Sequence, residues 1–159
     1  MMRGAFVLAG CLAAGAAAAL VASTASPRGP GETSAAATWR ANELNIYYID
    51  TEGGQSTLFV GPTGESLLVD TGNAGDRDLG RIVEALEAAS VKQIDHMWTT
   101  HYHGDHVGSL LALAKQVPIM HFYDHGKPHP KDRVVSAAFL PSYEELTQGK
   151  RTPSSQATK

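Results

Sequence analysis

Positions 101–106 read HYHGDH, which packs the imidazoles of His101, His103 and His106 and the carboxylate of Asp105 into one short stretch. Core packing gives no reason for so many polar, titratable groups together. The spacing does not bring all four side chains to one face of a helix or a strand, but a tight turn can converge them. Neutral imidazoles and a carboxylate are donors that suit zinc, and two ions placed close together could share such a turn. Zinc lowers the pKa of a coordinated water to roughly 7, so hydroxide is available at neutral pH to attack a carbonyl or phosphoryl centre. A free oxygen of Asp105 could orient that hydroxide, which makes Asp105 a candidate catalytic residue as well as a ligand. The competing reading is a solvated polar turn whose histidines are coincidental.

Such a cluster needs a rigid frame. Residues 94–100 (IDHMWTT) have strand character and lead straight into it. Residues 44–49 (LNIYYI), 56–60 (STLFV) and 66–69 (SLLV) read as three further strands. Glu52, Gly53, Gly54 and Gln55 separate the first pair, and the tight-turn residues Gly61, Pro62, Thr63 and Gly64 join the second pair as a hairpin. Leu79, Ile82, Val83 and Leu86 then follow at i, i+3, i+4 and i+7, with Asp76 and Asp78 near the start. That is an amphipathic helix of roughly three to four turns. A strand, a helix and a second strand imply a crossover into one sheet. Leu110, Leu111, Leu113 and Ala114 predict a short helix, and residues 118–123 (PIMHFY) another strand. The expected fold class is therefore α/β (α+β), with the histidine cluster in the loop at the C-terminal end of a strand, where ligand-binding residues collect in such sheets.

The stretch Leu67, Leu68, Val69, Asp70, Thr71, Gly72, followed by the helix, the strand and residues 99–108 (TTHYHGDHVG), resembles the metallo-β-lactamase fold superfamily of metallohydrolases. The likeness runs from about residue 44 to 125. It implies an αβ/βα sandwich, of which this chain would hold only the N-terminal half, and a cofactor of zinc, two ions per complete domain. By the same resemblance His101 and His103 bind one zinc, and Asp105 and His106 bind the second. Asp70, at a strand end, would orient a ligand histidine. The bland reading of Asp70 is a turn-forming residue before Thr71 and Gly72. The implied activity is hydrolysis of an ester, amide, lactone, thioester or phosphodiester, and the stretch looks closer to general hydrolases and DNA-uptake-associated phosphodiesterase-like domains than to dedicated antibiotic-degrading enzymes. The alternative is a truncated, non-catalytic, exported metal-binding or interaction module.

Superfamily members complete the two sites with a further histidine, a bridging carboxylate and a last histidine downstream. After His106 this chain offers His121, His125 and His129, with Asp124 as a carboxylate. These are candidate rim residues or substitute ligands. Gly126, Pro128 and Pro130 exclude a regular helix there, so their spacings do not stack them. His96, alternating with Met97 and Trp98 on a strand, reads as a structural histidine. Residues 131–159 read as an incomplete continuation and polar tail, in which a helix started at residues 143–146 has too little length to pack. No second run of strands is expected from them. An uncovered sheet surface, with self-association through it, follows from that expectation.

The start of the chain reads as an address. Residues 1–3 carry a positive charge, residues 5–22 are uncharged and alanine-rich, and small residues occupy 23–25, the layout of a signal peptide over residues 1–25. Residues 26–40 read as a flexible leader before residues 41–130, which are expected to be the N-terminal part of the domain. Secretion to the periplasm or beyond is expected, with no permanent membrane span; lipidation at Cys11 is the weaker alternative. A formal net charge of −3 argues against a generic nucleic-acid partner and leaves a small-molecule or phosphodiester substrate. The single cysteine excludes an intramolecular disulfide framework and a cysteine-rich zinc module.

Overall fold

The computed structural model describes residues 39–128 and 136–153. The expected signal peptide, the leader up to residue 38, Cys11 and His129 lie outside the described residues. Six strands form one sheet in sequence order: β1 (Asn45–Tyr48), β2 (Thr57–Val60), β3 (Ser66–Val69), β4 (Ile94–Trp98), β5 (Ile119–Asp124) and β6 (Arg151–Pro153). β1, β2 and β3 pair antiparallel, as the glycine-rich turns between them require, and β3 to β6 pair parallel. The parallel half is joined by helices: α1 (Asp76–Ala88), α2 (Gly104–Val107), α3 (Leu110–Leu113) and α4 (Phe139–Thr147).

Strand register explains where the core sits. Leu58, Leu68, Met97 and Phe122 form one row across β2 to β5, all with no exposed surface, on the helix-covered face. Ile82 and Leu86 of α1, Leu110 and Leu113 of α3, and Phe139 and Tyr143 of α4 close over that row. The next row, Phe59, Leu67, His96 and His121, points the other way because side chains alternate along a strand. Ile46, Tyr48 and Trp98 on that second face are exposed, Tyr48 by 84%. Among the described residues nothing covers this face. No helix among the described residues is long and apolar enough to cross a membrane.

Two readings of the chain after residue 131 are corrected. The helix that was expected to be too short to pack is α4, and it buries Phe139, Tyr143 and Thr147. Pro141 stands in its first turn, where a missing N–H breaks no helical hydrogen bond. The polar sequence beyond it also supplies a strand, β6, next to β5. β6 is held by charge rather than by apolar burial. Arg151 donates from Nε to Asp124 Oδ2 at 2.6 Å and from Nη2 to Asp124 Oδ1 at 2.9 Å. Tyr143 Oη donates to Asp124 Oδ2 at 2.8 Å, and the Gly126 N–H to Oδ1 at 2.7 Å. At the other end of the described residues, Trp39, which falls within the expected leader, donates its indole N–H to the Gly61 carbonyl.

Burial alone would raise the Asp124 carboxyl, but the Arg151 fork, the Gly126 amide and the Tyr143 hydroxyl outweigh it and hold it below its ordinary value. A group depressed in the folded state contributes stability above its unfolded pKa, near 3.8, and loses it as pH falls through the folded value. Asp124→Asn strands the Arg151 charge, so urea titration should show a loss of about 3 to 5 kcal/mol at pH 7. The difference from the wild type should narrow as the pH is taken below 4.

Candidate metal centre

The histidine cluster is positioned by the ends of β3 and β4. Backbone pairing continues past both strands: Asp70 N donates to Trp98 O at 2.9 Å, and Thr99 N to Tyr123 O at 2.9 Å. Residues 99–103 then run as a loop, and the second half of the motif folds into α2, which sequence reading treated only as a turn. The amides of His106 and Val107 both bond the His103 carbonyl at 3.0 Å, closing that helical turn.

Two flanking loops clamp α2. The Thr71 amide donates to the His106 carbonyl at 2.7 Å, and the Gln55 amide to the Asp105 carbonyl at 3.1 Å. The Gly108 amide bonds Gly72 O at 2.9 Å, and the Ser109 hydroxyl bonds Asn73 O at 2.5 Å. These approaches demand glycine at two positions. A Cβ on Gly54 would run into the Asp105 carbonyl oxygen, and one on Gly108 into the backbone of Ala74 and Gly104. The Asn73 loop is tied in turn to α1, where Asp78 Oδ2 accepts its amide at 2.8 Å and Arg77 donates to Asp78 Oδ1 at 2.7 Å. Burial would raise the Asp78 carboxyl, but these partners hold it below its ordinary value.

Asp70 is fully buried and takes a left-handed backbone conformation, φ 57°, which aims its carboxylate at the motif. Oδ1 accepts the Thr100 amide at 2.8 Å. Oδ2 accepts the Thr100 hydroxyl at 2.6 Å and contacts His106 Nδ1 at 2.8 Å. A carboxylate only accepts, so His106 Nδ1 is the donor in this contact, and the ring is held with Nε2 turned toward the cluster.

His101, His103 and Asp105 each offer a donor atom, all within 4.8 Å of one another. The His101 ring lies with its centroid 4.5 Å from that of His103 and 3.9 Å from that of His106. His106 Nε2 is 3.7 Å from Asp105 Oδ2, so Asp105 faces both His106 and the other two histidines. Burial, and then the neighbouring His106 and His103, push the His101 pKa down, which keeps it neutral at pH 7 with a lone pair to give. Two converging imidazoles, a carboxylate and an adjacent oriented imidazole are a donor set that fits zinc.

The remaining candidates fall elsewhere. Asp124 has both oxygens engaged by Arg151, Tyr143 and Gly126, so it is an ion-pair partner rather than a bridging carboxylate. His121 lies on the open sheet face, stacked on His96 at 5.6 Å between centroids, away from the cluster. His96 is satisfied by Glu65 Oε1 at 2.9 Å and the Tyr123 hydroxyl at 3.2 Å. His125 is exposed in the loop after β5, its ring 4.9 Å from that of Tyr102. Among the described residues His101, His103 and Asp105 make the one group of this kind. Sequence reading passed over Tyr102, which is buried between two open histidines and bonded to Gly126 and Arg151. Its signal was an aromatic residue in the middle of a polar motif.

The family model described as the metallo-beta-lactamase superfamily matches residues 50–144. A lactamase-like protein of Pestalotiopsis microspora is 34% identical over 65 residues, 41% of this chain and 20% of that protein. A lactamase-like protein of Aspergillus fumigatus is 36% identical over 67 residues, 42% of this chain and 20% of that one. An atrochrysone carboxyl ACP thioesterase of Aspergillus fumigatus is 34% identical over 65 residues, 41% and 15% respectively. The matched part thus spans a fifth or less of each of these relatives.

Asp70→Asn keeps the shape but exchanges an obligate acceptor for an amide, so the His106 ring loses its fixed tautomer. Zinc affinity, measured by chelator competition, should fall about 10- to 100-fold; an unchanged constant would refute the role given to Asp70.

Proposed function

The chain belongs to the metallo-beta-lactamase superfamily, and from that premise we propose that it is a zinc-dependent hydrolase acting on an acyl bond, with an ester or thioester as the favoured substrate. The convergence of His101, His103 and Asp105 at the C-terminal end of β4 carries this reading. The preference for an acyl substrate is supported by the similarity to a protein named as a thioesterase.

Zinc in such a site supplies Lewis acidity, activating water near neutral pH and polarising the bond under attack. The chain's own groups do the rest. His101 and His103 would hold the ion through their imidazole nitrogens, and Asp105 would add negative charge beside them. His106 is placed by Asp70 to turn Nε2 toward the same space. Asp105 is also placed to accept a hydrogen bond from an attacking water and so fix its approach. The site is open to solvent on the His103 side, so substrate has access without displacement of a core residue.

A second reading is a zinc-binding module without turnover. It draws on the presence, among the described residues, of one three-donor group rather than two. In either reading residues 1–25 act as an export signal, a proposal resting on the charged start, the uncharged alanine-rich run and the small residues that follow.

The test is turnover by the full chain of chromogenic ester, thioester, amide, lactone and phosphodiester substrates. Ester or thioester hydrolysis should disappear on zinc removal, return on zinc addition, and drop at least 100-fold in His103→Ala. Zinc retention with no turnover of any substrate favours the module, and equal rates in wild type and His103→Ala contradict the hydrolase.

A further inference from the structure

Tyr102 occupies the position between the first two histidines of the motif. Its neighbours His101 and His103 are part-exposed and exposed, whereas its own side chain keeps 3% of its surface. The ring is seated against Tyr143 and Phe139 of α4, with centroids 5.6 and 6.2 Å away. The hydroxyl donates to the Gly126 carbonyl at 2.9 Å and accepts from Arg151 Nη2 at 3.1 Å. That same Nη2 also donates to Asp124 Oδ1, and Nε donates to Asp124 Oδ2. Arg151 therefore spans two partners at once: the carboxylate at the end of β5 and the phenol inside the motif. Asp124 is fully buried, and Tyr143 bonds it from α4. The planar guanidinium holds its donors in a fixed fork, so this linkage sets position as well as distance.

From these contacts we propose that Tyr102 is a positioning residue for the metal centre, held through its hydroxyl by the Arg151–Asp124 pair so that His101 and His103 stand at their ligand spacing before an ion arrives. The inference deepens the reading of the cluster as a zinc site and rests on it. Its physical content is preorganisation. A loop already fixed in its binding geometry loses less freedom on binding, and that saving is read out as affinity. Arg151 is the first residue of β6, so this linkage gives β6 a purpose beyond extending the sheet.

Tyr102→Phe retains the ring and removes only the hydroxyl; Arg151→Lys retains the charge and removes the fork. Ile82→Val, in α1 and remote from the cluster, serves as a control for lost stability alone. Zinc affinity of the full chain is measured by chelator competition, with His103→Ala as a check on the site itself. Ligand geometry is read from the visible spectrum of Co2+ in place of zinc. Amide hydrogen exchange at residues 101–105 is followed in the metal-free protein.

Tyr102→Phe and Arg151→Lys should each weaken zinc about tenfold, alter the Co2+ spectrum and speed exchange at residues 101–105. Ile82→Val should bind zinc like the wild type even where its melting temperature falls. The proposal is overturned if both variants bind zinc within twofold of the wild type, or if Ile82→Val weakens binding as much as they do. Indifference of zinc binding to His103→Ala brings down the metal site itself and this proposal with it. Normal loss in His103→Ala with no effect in Tyr102→Phe and Arg151→Lys brings down the positioning role alone.

Discussion

A buried carboxylate must be satisfied where it stands, and Asp70 is satisfied by the motif. With no surface exposed to water, it takes hydrogen bonds from the Thr100 amide, the Thr100 hydroxyl and His106 Nδ1. An unpaired charge at that depth would cost several kcal/mol. The loop after β4 therefore cannot drift far from the end of β3 without exposing that cost. The left-handed backbone at Asp70 turns the chain so that its carboxylate meets Thr100 and His106 while the next residue, Thr71, donates to the His106 carbonyl. One residue thus joins two parallel strands and the helical turn that carries half of the cluster.

Around that anchor the same device recurs. Asp78 satisfies Asn73 and Arg77 behind the loop, and Asp124 satisfies Arg151, Tyr143 and Gly126 on the far side. In both cases burial alone would favour the neutral acid, and specific donors outweigh it. The apolar row Leu58, Leu68, Met97 and Phe122 makes the sheet a platform. The buried carboxylates decide how the loops leave it. Packing supplies rigidity, and the polar networks supply aim.

The platform was the legible part. Short apolar runs of strand formers and glycine-rich turns mark β1 to β3, and the i, i+3, i+4, i+7 spacing from Leu79 to Leu86 marks α1, because these elements are specified by apolar burial along the local chain. The motif was legible through its density of donors. What escaped was specified by partners distant in sequence. Arg151 reads as one more charge in a polar tail until Asp124, 27 residues earlier, is seen to be buried beside it. Tyr102 reads as a spacer, and its depth follows from α4, which comes some 40 residues later. Asp124 was a plausible bridging carboxylate by type alone; its engagement by three partners is tertiary information. Even α2 follows from clamping by Gln55, Thr71 and Gly72 rather than from its own four residues.

The account stands on one claim, that His101, His103 and Asp105 form a metal site. Diffraction from zinc-loaded crystals, collected on both sides of the zinc absorption edge, tests it directly. The account predicts an anomalous peak within about 2.0 to 2.2 Å of an imidazole nitrogen from each of His101 and His103 and of an Asp105 oxygen. A zinc peak only at other residues, such as His96 and His121 on the open face of the sheet, would contradict it.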